Sequence, residues 1–108
     1  MLINKVYGLL GISAKAGKLI SGTDIILEQM AKKKVNLVIV AEDASEKTIK
    51  NMKYYCEKEN VKLIVYGSIN ENSKAIGKHN RAVIGIVDKN FANSIEKVIH
   101  GGEPLGKI

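Results

Sequence analysis

One cysteine, two histidines and one arginine stand among the 108 residues. A lone Cys56 excludes an internal disulfide and any zinc site built from several cysteines, which fits a reducing compartment. His79 and His100 are 21 positions apart, far from the i, i+4 spacing that puts two imidazoles on one helix face around a metal. No apolar run nears the roughly 18 residues of a membrane span, and the start MLINKVYGLLGIS lacks the long apolar region and cleavage site of a signal peptide. Internal repeats and low-complexity segments are missing too. The expectation is one cytoplasmic domain over residues 1–99, with a loose tail at 100–108, no membrane, no metal and no cofactor.

Positive charge is present in excess, with 17 basic residues against 11 acidic and a formal charge of +6. That balance favours a polyanionic partner without speaking to fold. Its position says more than its total. Residues 1–22 carry Lys5, Lys15 and Lys18 and no acid, and residues 74–87 carry Lys74, Lys78 and Arg81 and no acid. Lys32-Lys-Lys34 at a helix end reads as solvated charge that suits the helix dipole.

GISAKAGKLISG, residues 11–22, has the glycines, lysines and serines of a phosphate-binding turn. A nucleotide P-loop needs Gly, four residues, then Gly-Lys and a hydroxyl. Here Ile12 stands where the first Gly should be, Gly11 lies one residue too far back, and Leu19 replaces the hydroxyl. The phosphate of a nucleic acid is the better candidate.

Apolar spacing predicts a helix over 2–13 with Leu2, Val6, Leu9, Leu10 and Ser13 on one side, then a short strand at 18–21. A second helix is expected over 23–33 on Ile26, Leu27 and Met30, with Ser21 and Asp24 in a capping arrangement. Asn36 to Ala41 is a continuous apolar run, the mark of a strand covered on both faces. Glu42 and Asp43 read as the acidic turn before a helix over 46–58, with Ile49, Met52 and Cys56 inward and Lys47, Lys50, Lys53 and Glu57 outward. Strands follow at 61–66 and 82–87, a short helix capped by Ser68 and Glu71 runs to about Gly77, and Asp88 caps a last helix over 89–99. Alternation of this kind suggests mostly parallel pairing. The fold class expected is α/β, a three-layer α/β/α sandwich with a small, mostly buried mixed sheet of about four strands.

Catalytic chemistry finds little support. Cys56 beside Met52 on an apolar helix face reads as a buried thiol rather than a nucleophile. Tyr54 and Tyr55 point about 100° apart around a helix and build no joint stacking platform. The chain reads as a non-enzyme.

The order LLGISAKAGKLISGTD, VNLVIVAEDAS, YYCEKENVKLIVYGS and KAIGKHNRAVIGIVD resembles the kink-turn RNA-binding ribosomal-protein superfamily of the L-seven-Ae type, nearest its small bacterial YlxQ-like members. The strand followed by Ala-Glu-Asp, the Cys-Glu segment before the next strand, and Ala-Ile-Gly before a basic loop carry the likeness, which covers roughly residues 3–96. It implies an α/β/α sandwich that binds sharply bent RNA. By position it places RNA contacts on Gly22, Thr23, Asp24, Ile25 and Glu28, on Ser45 and Ile49, and on Lys78 to Val83, with Asn80, Arg81 and Val83 among them. The strong binders resemble Gly, any residue, Asn-Glu, two residues, Lys, whereas this chain reads Gly22-Thr-Asp-Ile-Ile-Leu-Glu28. Asp24 lacks amide donors, Ile25 cannot hydrogen-bond a base edge, and Glu28 opposes phosphate.

Together these features predict a monomeric, structured-RNA-binding protein of the ribosomal-protein type, associated with the ribosome, whose reading head is altered at Asp24, Ile25 and Glu28. Lys15, Lys18, Lys78 and Arg81 would supply phosphate contacts. The alternative is a protein-interaction module that keeps the fold and has lost kink-turn binding.

Overall fold

A computed structural model describes residues 4–101. The elements are α1 (Lys5–Lys15), β1 (Leu19–Ser21), α2 (Thr23–Ala31), β2 (Leu37–Val40), α3 (Glu46–Lys58), β3 (Lys62–Val65), α4 (Ile69–Ala75), β4 (Val83–Ile86) and α5 (Lys89–Ile99). The first helix starts later than its apolar spacing suggested, because Asn4 leaves the helix to cap it, its Oδ1 accepting the Tyr7 N–H at 3.0 Å. Leu2, expected on that helix's apolar side, lies outside the described residues, as do residues 102–108 of the expected tail.

The strands run β1-β4-β2-β3 across one mixed sheet. Only β2 and β3 are parallel; β4 is antiparallel to both β1 and β2. The sheet is mixed as expected, whereas the mostly parallel pairing suggested by alternation is corrected, since two of its three pairings are antiparallel. The central strands LVIV and VIGI are buried at every position, as their unbroken apolar runs require.

Period-two geometry divides those side chains between two cores. Leu37, Ile39, Ile84 and Ile86 face Val6 and Leu10 of α1, Ile76 beyond α4, and Ala92 and Ile95 of α5. Val38, Val40 and Val83 face Ile26 and Met30 of α2 and Met52 and Cys56 of α3. Three helices thus cover one face and two the other, the expected α/β/α sandwich. Ser13 enters the apolar side of α1 without cost to its hydroxyl, which donates to the Leu9 carbonyl at 2.7 Å. At the outer edge of the sheet, Lys62 of β3 pairs with Glu96 at 2.7 Å, a charged edge of the kind that discourages strand pairing with other chains.

Cys56 is buried, and burial pushes its thiol up to about 11. The thiol is neutral at physiological pH and packs as an apolar group. Because the folded value is the raised one, the native state holds this proton more tightly than the unfolded chain does. Its contribution to stability is complete below the unfolded thiol value and declines as pH climbs toward about 11. Iodoacetamide at about pH 8 is expected to spare Cys56 in the folded protein and to modify it within minutes in denaturing urea. Equal rates in both states would show that the α3 face opens readily.

A candidate RNA interface at one end of the sheet

The strand register places four junctions together. Ser21 pairs with Ile84, and Val40 pairs with both Val83 and Val65. The starts of α2, α3 and α4 therefore share one end of the sheet with the loop that enters β4. Backbone hydrogen bonds tie them: Gly22 N–H to Val83 O at 3.0 Å, Ala41 N–H to Ala82 O at 2.9 Å and Glu42 N–H to Gly67 O at 2.7 Å.

At the start of α2, Gly22 is the N-cap, with φ 104° and ψ 141° and no side-chain cap bond. Ser21 cannot cap as expected, because it is the last paired residue of β1 and only one residue separates strand from helix. An L side chain rarely adopts the Gly22 conformation. A Cβ there would stand 3.7 Å from Nη1 of Arg81. The guanidinium thus lies against bare backbone at the helix start.

Arg81 arrives there because Ser73 pins the loop. The Ser73 carbonyl accepts the Lys78 N–H at 2.9 Å and its Oγ accepts the Arg81 N–H at 2.7 Å, while Asn80 turns the chain at φ 55°. Ser73 is buried in α4, and its sequence neighbourhood gave no sign of this role. Nε of Arg81 is buried and has no hydrogen-bond partner among the described residues. Lys78 and Arg81 line a cleft of about 380 Å³ with Ile25, Ser21, Ile76 and Ala14.

Of the residues expected to contact RNA, Gly22, Ile25, Lys78 and Arg81 meet at this cleft, with Thr23, Asp24 and Asn80 exposed beside it. Others lie farther from Gly22. Lys18 precedes β1, where its carbonyl accepts the Val87 N–H, roughly 13 Å of extended chain from Gly22 and next to Leu19 of the cleft wall. Lys15 ends α1 next to Ala14 of the same wall. Val83 points into the core at 1% exposure and serves through its carbonyl, which holds Gly22. Ile49 is half-buried against the α3 core, and Ser45 caps α3, accepting the Thr48 N–H at 3.1 Å.

The acidic residues take structural places. Asp24 lies in the first turn of α2, where the helix dipole favours a carboxylate. Glu28, one turn on, pairs with Lys32 at 3.6 Å, both exposed. Asp43 does not serve its own helix: its Oδ1 accepts the Ile69 N–H of α4 at 2.8 Å, so it ties the β2 exit to the β3 exit.

A mixed four-stranded sheet between unequal helix layers, with its basic loop held over a glycine helix start, makes the chain a three-layer α/β/α sandwich. The chain belongs to the ribosomal protein L7Ae/L30e/S12e/Gadd45 family, matched over residues 4–97. It is 37% identical to the RNA-binding protein YlxQ of Enterococcus faecium over 97 residues, covering 90% of this chain and 93% of that protein. It is 32% identical to the RNA-binding protein YlxQ of Bacillus subtilis, covering 82% and 89%. Among solved structures, a protein of unknown function from Bacillus halodurans C superposes with a TM-score of 0.86 at 32% identity, covering 89% of this chain and 97% of that one. The Giardia lamblia 15.5kD RNA binding protein superposes with a TM-score of 0.73, covering 97% and 93%, and at 22% identity this likeness concerns the fold. No described helix is long and apolar enough to cross a membrane.

Proposed function

We propose that the protein is a non-enzymatic, cytoplasmic binder of structured RNA that acts as a monomer on ribosomal or other kinked or bulged RNA. Residues 1–99 form the binding unit. The observation that carries this reading is the Arg81 guanidinium set beside the bare backbone of Gly22, with Lys78 in the same cleft. A fork of donors next to a helix start that carries no side chain suits a phosphate or a base edge where the RNA backbone comes close. The names of the two YlxQ relatives, both RNA-binding proteins, support it.

Asp24 already answers the positive end of α2, so that helix start offers less to a phosphate than an uncharged one would. Binding then leans on Lys78 and Arg81, with weaker base discrimination than a head bearing amide donors. Affinity for a kink-turn RNA, a bulged RNA and an unkinked duplex, measured from about 50 to 200 mM salt, is expected to fall steeply with salt and to favour the first two. No binding to any of them at the lowest salt overturns the proposal.

Glu28→Lys is expected to tighten binding about three- to tenfold at about 50 mM salt, because it exchanges a repelling charge for an attracting one. The lost Glu28–Lys32 pair is exposed, so stability should change by less than about 0.5 kcal/mol. The exposed Ile25, flanked by Asp24 and Glu28, favours a second reading, a surface for a protein partner. Partners that all vanish on nuclease treatment would remove that alternative.

A further inference from the structure

The outer face of α3 is not explained by the cleft. Buried Met52 and Cys56 fix which side of this helix faces the sheet. At 100° per residue, Lys47, Lys50, Tyr54 and Lys58 fall on the opposite side, at i, i+3, i+7 and i+11. Each is exposed, Tyr54 by 60%. Asn51 joins them, while the helix's two acids, Glu46 and Glu57, lie to one flank.

Three lysines outside α3 have carboxylate partners, Lys32 with Glu28, Lys33 with Glu59 and Lys62 with Glu96, while others such as Lys74 and Lys89 have none among the described residues. Among the described residues Lys47, Lys50, Lys53 and Lys58 have none. Exposed lysines in a row repel one another only weakly through water, and the row gives this face a positive potential that attracts a polyanion. Tyr54 is steadied by the edge-on ring of Tyr55, with centroids 5.0 Å apart and planes at 80°. Such a ring offers a hydroxyl and one apolar side rather than a base-stacking platform, which suits sugar and phosphate better than a splayed base.

Position decides the partner. α2 packs on β1 and β4 and α3 on β2 and β3 in the same helix layer, and both start at the end of the sheet that carries Arg81. The row from Lys47 to Lys58 runs about 16 Å away from that end, long enough to follow several successive phosphates.

We infer that the outer face of α3 is a second RNA surface, which takes the phosphate backbone of a duplex stem leaving the element held at Arg81. It rests on the RNA-binding reading above, and the test separates the two. Bulged RNAs with a flanking stem of about 4 or about 12 base pairs are titrated with the wild type, with a triple variant carrying Lys47→Gln, Lys50→Gln and Lys58→Gln, and with Arg81→Ala. All changed side chains of the triple variant are exposed, and an unchanged melting curve verifies its fold.

The wild type is expected to bind the long stem about tenfold more tightly than the short one at about 100 mM salt. The triple variant should lose that advantage, with a long-stem salt slope lower by about 2 to 3, while its short-stem affinity stays at the wild-type value. Arg81→Ala should weaken both RNAs. A triple variant that keeps the stem-length advantage overturns the inference while the cleft reading stands, the result expected if the face serves an acidic protein instead. Failure of the wild type to bind either RNA overturns both.

Discussion

Gly67→Ala should unfold the protein at least 10 °C below the wild type, a loss of about 3 kcal/mol for a domain of this size. Gly67 follows β3 at φ 71°, where a Cβ is strained, and the space that Cβ would fill is already taken by Asn72 Oδ1 and the Tyr7 hydroxyl. Neither neighbour can move away freely. Asn72 is buried, and its Nδ2 donates to the Tyr66 carbonyl at 2.8 Å, which closes the turn from β3 into α4. Tyr7 stacks edge-on with Tyr66 at 6.0 Å, and its phenol is pushed up to about 12 by burial and then by the Glu71 carboxylate, toward which it donates at 3.4 Å.

Gly17→Ala is the control, because Gly17 has nearly the same φ, 73°, and nothing within 4 Å of the added carbon. It isolates the backbone term, about 1 kcal/mol. The difference between the two variants is then the steric term, and Asn72→Ala in the Gly67→Ala background should recover part of it as a coupling energy. If both alanines cost the same by urea titration, the turn between β3 and α4 is more pliable than its hydrogen bonds imply.

Of that turn the sequence shows the cap, since Ser68 Oγ accepts the Glu71 N–H at 3.0 Å, and not the crowding of Asn72 and Tyr7 against Gly67. Helices α3 and α5 were legible to the residue, α3 from the turn before it and its apolar period and α5 from the Asp88 cap, and the structure adds Ser45 as the cap of α3. Strands β2 and β4 were legible as continuous apolar runs, but a run buried on both faces carries no direction. The antiparallel placing of β4 between β1 and β2 was accordingly missed by alternation alone. The basic loop at 78–81 was marked by its charge and Gly22 by the family resemblance, and the structure sets the two side by side. What juxtaposes them, the buried Ser73 holding the Arg81 amide and the Val83 carbonyl holding Gly22, depends on contacts 8 and 61 residues apart. Lys18 was grouped with them by a charge count along the chain, and the structure sets it at the start of the three-residue strand β1, whose Leu19 lines the cleft.

Arg81→Ala should weaken RNA binding about 10- to 100-fold, the range for losing a charge-assisted hydrogen-bond pair of about 1.5–3 kcal/mol. It should also lower the salt slope by about one, the signature of one phosphate contact removed. The fold should survive, since the loop is pinned through the Arg81 backbone N–H and not through its side chain. Arg81→Lys keeps the charge and loses the planar fork, so it separates the two contributions. A lysine that restores the slope but not the affinity assigns the fork to a specific contact at Gly22, where the guanidinium already stands 3.7 Å from the position of a missing Cβ. A lysine that restores both assigns Arg81 to charge alone, acting with Lys78 across the cleft. A change of less than about threefold in Arg81→Ala at about 100 mM salt would move the RNA off this end of the sheet.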